Sequence, residues 1–158
     1  LIRQHSSVVL ATIGAAVFVA TSPAMAASEN WNSRSDPLVA WEDGDRQALA
    51  YGTAYTKEGS LKNHTYYRDP RAGGDAVYTE TDYNLYVQES SGDSHWRGRC
   101  CKDQSARDDS GDWVDQYDAW YYANHSTAEK GRVYYKVCED QDWSPDACSP
   151  NPWVTFNL

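Results

Sequence analysis

The chain of 158 residues carries 14 Lys and Arg against 23 Asp and Glu, a formal net charge of −9, and its mean hydropathy is −0.77. That charge repels nucleic acid and anionic lipid, so nucleic acid is excluded as a partner class. The length suits one hydrophobic core and leaves no room for a second domain.

Residues 1–26 combine Arg3, an apolar run through IGAAVFVA and the small-residue site Ala24-Met25-Ala26, the layout of a secretory signal peptide. The apolar part, interrupted by Thr12 and Gly14 and ended by Ser22-Pro23, falls short of the roughly 20 residues of a membrane span. Cleavage is expected after Ala26, leaving a secreted, extracellular protein with no membrane span. The segment holds one Arg and no acid, so its removal takes the formal charge from −9 to −10. It also takes both Ile and one of the two Phe, and leaves seven Val, five Leu, seven Trp and twelve Tyr to build the interior. The core must be aromatic. Each buried Trp N–H and Tyr hydroxyl then needs a hydrogen-bond partner, so polar residues on the strands can serve the fold rather than a ligand.

Residues 27–36 are polar and are expected to form an irregular lead-in to a single β domain over 37–158. Residues 38–41 read as a first short strand, ended by the turn signal EDGD. Residues 47–55 alternate between Leu49, Tyr51, Thr53 and Tyr55 on one face and Ala48, Ala50, Gly52 and Ala54 on the other. The small face predicts close approach by another layer. KEGS then leads to a strand over 61–68, followed by the turn DPRAGGD. Residues 77–87 form the strongest strand, with Val77, Thr79, Thr81, Tyr83, Leu85 and Val87 inward and Tyr78, Glu80, Asp82, Asn84 and Tyr86 outward. A central position is predicted for it. ESSGDS turns the chain into a strand over 95–101, and the charged loop KDQSARDDSG leads on. Residues 112–123 and 131–137, joined by NHSTAEK, read as a long hairpin. Its core face carries Trp113, Tyr117, Ala119, Tyr121 and Ala123 on one strand and Val133, Tyr135 and Val137 on the other. The tail EDQDWSPDACSPNP is a proline-bearing loop before an edge strand over 152–158. Seven or eight short strands with turn signals between them, and no amphipathic helix, predict an all-β fold: a single antiparallel β-sandwich or flattened barrel.

The leader AAVFVATSPAMAA, the acidic Tyr- and Trp-rich body and the tail CEDQDWSPDACS resemble the small secreted proteins of actinobacteria, of streptomycete type. The likeness is one of style over the whole chain and carries no functional residue with it. Four cysteines in an exported chain, Cys100, Cys101, Cys138 and Cys148, read as two disulfides. Adjacent cysteines on a strand point to opposite faces, which favours one of Cys100 and Cys101 joined to Cys138 and the other to Cys148. A local Cys138 to Cys148 bond beside a vicinal ring is the alternative, and spacing does not decide between them.

No catalytic residue is assigned. Asp109-Ser110-Gly111 has the residue order of the nucleophile loop of trypsin-like proteases but lacks its glycines and an upstream histidine box. Gly92-Asp93-Ser94-His95 lacks the α/β scaffold of GDSL-type esterases, and turn chemistry explains both. Glu80 and Asp82 stand about 7 Å apart on one strand face, a separation at which paired carboxylates hydrolyse sugars. No cofactor is expected; Ca²⁺ is the one metal with a candidate loop, DDSGDWVD, offering Asp108, Asp109, Asp112 and Asp115. The positive signal is an aromatic surplus, with Trp120, Tyr122, Tyr134, Tyr78 and Tyr86 facing away from the assigned core. Flat rings beside acids and amides hold pyranose faces and anchor protein interfaces. The leading expectation is a non-catalytic secreted module that binds an extracellular glycan or protein. The alternatives are a small secreted glycan hydrolase, and an inhibitor or toxin-like protein that presents the tail loop. The sequence leaves the oligomeric state open.

Overall fold

The computed structural model describes residues 26–158, so the signal-peptide reading lies outside the described residues except at Ala26. Strands β1 (Ser28–Trp31), β2 (Leu38–Glu42), β3 (Asp45–Lys57), β4 (Ser60–Arg68) and β8 (Val114–Tyr121) form one antiparallel sheet. Strands β5 (Val77–Gln88), β6 (Ser94–Gly98), β7 (Asp103–Gln104), β9 (Ala128–Glu139), β10 (Ala147–Cys148) and β11 (Trp153–Asn157) form the other. In the first sheet β1 and β2 share one edge of β3, and β4 and β8 follow on the other side. In the second, β5 and β9 are central, flanked by β6 and β7 beyond β5 and by β10 and β11 beyond β9. No helix among the described residues is long and apolar enough to cross a membrane.

All eight expected strands are present, and β5 holds the central place its alternation predicts. The turns on either side of β3 have positive φ at both central residues, Asp43 and Gly44 in one, Glu58 and Gly59 in the other. This is the geometry that matches the right-handed twist of the paired strands. Part of the stretch expected to be irregular is instead strand β1. Its polar residues Ser28, Glu29 and Asn30 are exposed, and one apolar anchor, Trp31, holds it in place at 3 % exposure. The small face of β3 is what admits that anchor. A Cβ on Gly52 would lie 2.6 Å from the Trp31 ring and 2.3 Å from the His64 carbonyl oxygen.

Trp31 lies between the sheets and stacks on Tyr135 of β9, with ring centroids 4.1 Å apart. Its Nε1 donates to Asn63 Oδ1 at 2.9 Å, and Asn63 Nδ2 donates to Thr65 Oγ1 at 2.9 Å and Thr81 Oγ1 at 3.0 Å. Thr81 in turn donates to Asp118 Oδ2 at 2.8 Å, and Gln116 Nε2 donates to Asp118 Oδ1 at 3.0 Å. This chain of bonds satisfies buried polar groups from both sheets, and leaving any one unmade would cost about 1–3 kcal/mol.

It also explains why the long hairpin does not form. Strands β8 and β9 belong to different sheets: β8 pairs with β4, β9 pairs with β5, and the segment between them crosses from one sheet to the other. The faces of β8 are reversed as well. Val114, Gln116, Asp118 and Trp120 turn inward, while Tyr117 and Tyr121 are 63 % and 54 % exposed. Hydrophobicity favours the opposite assignment, but Asp118 and Gln116 find their partners only inside.

The cross-strand staple is corrected too. Cys138 of β9 is bonded to Cys148 of β10, ten positions away, while Cys100 and Cys101 are exposed and unbonded, with their sulfurs 3.0 Å apart. β6 ends at Gly98, before these cysteines, on the side of β5 opposite β9, so they lack a path to Cys138.

Candidate functional site

The five aromatics singled out from the alternation divide into two groups. Trp120 is partly buried against the core, opposite fully buried Leu61 on β4, and its edge meets His125 at 5.6 Å. Tyr122 also packs on the core and lines a depression of about 300 Å³ with Ala26, Lys57, Glu58 and Leu158. Tyr78 is only 4 % exposed: its hydroxyl donates to Asp146 at 2.5 Å and the Arg107 guanidinium covers its ring at 4.0 Å. Burial and then the Asp146 carboxylate push its pKa up, and the hydrogen bond ties the tail loop to β5. Tyr86 and Tyr134 face outward, as expected.

Those two are brought together by the outer face of the second sheet. Register places Trp96, Tyr86 and Lys130 in one row across β6, β5 and β9. Asn84, Arg132 and Thr155 form the next, and Asp82, Tyr134 and Trp153 the third. Tyr86 meets Trp96 at 5.3 Å and Tyr134 meets Trp153 at 5.5 Å, both tilted. Arg132 joins the two pairs. Its guanidinium carbon lies 3.9 Å from the Trp96 ring centre, 5.2 Å from that of Trp153 and 5.8 Å from that of Tyr134. Nε donates to Thr155 Oγ1 at 3.2 Å and Nη1 to the Tyr134 hydroxyl at 3.1 Å. Lys130 Nζ sits 5.8 Å from the Tyr86 ring centre. Tyr86, Trp96, Lys130, Arg132 and Thr155 thus border an open depression of about 370 Å³.

Trp96, Lys130, Arg132, Trp153 and Thr155 are the members that sequence reasoning missed. Once Tyr134 is assigned outward, the period of two puts Arg132 and Lys130 on the same face; that signal was present. The placement of Trp96 and Trp153 depends on pairing partners that only the fold supplies.

The outer face of the first sheet is also aromatic, with several rings in contact and Tyr117 and Tyr121 still exposed. Tyr51 stacks on Tyr66 at 5.0 Å, and Trp113 meets Tyr51 edge-on at 5.0 Å. His64 stacks on Tyr117 at 3.8 Å, and its Nε2 is 3.0 Å from Asp115 Oδ2.

Glu80 and Asp82 both lie on the outer face of β5, and Glu80 is engaged by neighbouring side chains. Glu80 is held by Lys136 at 2.6 Å, by Lys102 at 3.3 Å and by Gln104 at 2.8 Å. Burial works to raise its pKa, but those bonds and the Lys136 charge outweigh it and hold the carboxyl below its ordinary value. That is the wrong direction for a general acid. Neither this depression, the one beside Tyr122 nor a third beside Tyr51 and Tyr66 is lined by two carboxylates. The Ca²⁺ candidates are not gathered: Asp108 accepts bonds from Ser110, Asp109 and Asp112 are exposed in the loop, and Asp115 sits on β8 beside His64. Among the described residues no three His, Cys, Asp or Glu side chains converge as a metal site would require.

No protein-family model matches the chain, and none of the curated proteins does.

Proposed function

We propose that the protein is secreted and binds an extracellular glycan, without catalysis, through the outer face of its second sheet. The observation that carries this reading is the set of four outward aromatics, Trp96, Tyr86, Tyr134 and Trp153, arranged about Arg132 beside an open depression. Rings tilted around a shallow surface offer apolar faces to the C–H side of a pyranose, while the guanidinium and hydroxyls between them meet its oxygens. The Cys138–Cys148 bond supports an oxidising compartment. Retention on immobilised polysaccharides tests the reading. Trp96→Ala and Trp153→Ala should each reduce retention at least about tenfold, the loss of roughly 1.4 kcal/mol of contact; unchanged retention in both variants would overturn it.

A second reading, protein docking, is favoured by one observation. Trp143 is fully exposed with φ of 73°, on the loop that the Cys138–Cys148 bond closes. Asp146 ties that loop down by accepting from Tyr78 and from the Gln141 backbone N–H. A Trp held out in a left-handed backbone is suited to fill a pocket on a partner. Trp143→Ala separates the readings, since it should leave retention on polysaccharide unchanged if the sheet face is the site.

A further inference from the structure

This inference rests on the glycan-binding reading and assigns the chemistry of the ligand. We propose that the depression takes an oxyanion borne by the saccharide, a uronic-acid carboxylate or a phosphate diester, on Arg132 and Lys130.

The polar lining has more donors than acceptors to offer. Arg132 Nε and Nη1 each donate to a hydroxyl, Thr155 Oγ1 and Tyr134 Oη. Neither hydroxyl donates to another group among the described residues, so the proton of each is available to a ligand. Arg132 Nη2 makes no hydrogen bond among the described residues, and Lys130 adds three further donors. A rim of donors around a fixed guanidinium matches a group that only accepts, and the planar fork of Arg suits a carboxylate or phosphate in two-point contact.

Charge points the same way. Lys136, on the same strand face, is neutralised by Glu80 at 2.6 Å, whereas Arg132 and Lys130 have no carboxylate partner among the described residues. The two are adjacent on one strand face, in a chain whose acids outnumber its bases by 23 to 14. Asp82, in the row beside Arg132, is the nearest acid on this face by register, and its Oδ1 accepts from the Tyr83 backbone N–H. The remaining negative charge acts over distances that physiological salt screens within about 8 Å. It opposes uniformly charged nucleic acid without barring one local anion. The stacking of Arg132 on Trp96 at 3.9 Å holds the guanidinium in place before a ligand arrives, so less freedom is lost on binding.

The test compares polygalacturonate with the same polymer after methyl esterification, which keeps the sugar backbone and removes the charge. A poly(glycerol phosphate) arm and a neutral glucan arm complete the set. The expected result is binding to polygalacturonate at least about tenfold tighter than to its ester, falling as salt rises. Arg132→Gln should bring retention of the acid polymer down to the level of its ester, and Arg132→Lys should restore the preference only in part, because the ammonium keeps the charge but not the fork. Should Arg132→Gln fail to fold, Lys130→Gln serves instead, with a several-fold loss expected. Preference for the phosphate polymer over the uronate would uphold the oxyanion and name phosphate as its source. Equal binding of acid, ester and neutral glucan, all lost in Trp96→Ala, would overturn the inference and leave glycan binding standing. No retention on any arm would overturn both.

Discussion

Trp120 and Trp153 make the residue-scale contrast. Both lie on strands with alternating exposure, but one packs on the core opposite Leu61 and the other is 53 % exposed on the second sheet's outer face. Trp120→Ala should therefore destabilise the fold by about 3 kcal/mol or more, through the cavity it leaves. Trp153→Ala should stay within about 0.5 kcal/mol of the parent. Urea unfolding midpoints of the two variants check this, and a silent Trp120→Ala would contradict the placement of β8. Two carboxylates differ in the same way. Asp118 is held above its ordinary value of 3.8 by burial, against the hydrogen bonds from Gln116 and Thr81. Glu80 is held below 4.5, burial notwithstanding, by Lys136, Gln104 and Lys102. The signs are opposite. The depressed group contributes stability that is present above its unfolded pKa and lost as pH falls through its folded one. The raised group costs stability when ionised, a cost relieved as pH falls through its folded pKa. In melting curves from about pH 7 to about pH 3, Glu80→Gln should flatten the acid loss of stability and Asp118→Asn should steepen it. Parallel curves for both would refute the assignment.

At the scale of elements, alternation located strands well and assigned their partners poorly. β5 was legible except at Tyr78, because its inward set is Val, Leu, Thr and one Tyr and the rest of its outward set is polar or Tyr. In β8 both faces carry aromatics and acids, and a shift of one position exchanges them. What decides between the faces is Asn63, Thr81 and Trp31, which lie on three other strands. Tyr86 and Tyr134 were legible as outward residues; Trp120, Tyr122 and Tyr78 were not legible as covered ones, since their cover comes from distant segments. The disulfide carries a similar lesson. Pairing along β9 and β10 brings Cys138 opposite Cys148, so the bond closes a short loop and leaves the first sheet untouched. Two thiols should titrate in denatured, unreduced protein. Reduction of the one bond should cost about 3 kcal/mol, the chain-entropy figure for a loop of this length; four thiols, or no change in stability on reduction, would count against the arrangement.

Across the whole molecule, each sheet is sealed by a strand that comes late in the chain. Ser60 pairs with Tyr121 and Tyr67 with Val114, Val77 with Glu139 and Val87 with Ala128, so β4 and β5 both find long-range partners about forty to sixty residues downstream. The pairs β2 with β3, β3 with β4 and β5 with β6 are local by comparison. The consequence is one of timing. As the chain is made, two meanders can form early, but each keeps an open edge of unpaired N–H and C=O groups until residues 114–139 have emerged. Closure then has to join distant segments, which places folding in the slow range of milliseconds to seconds. During that interval the exposed edges of β4 and β5 are the places where two unfinished copies would join.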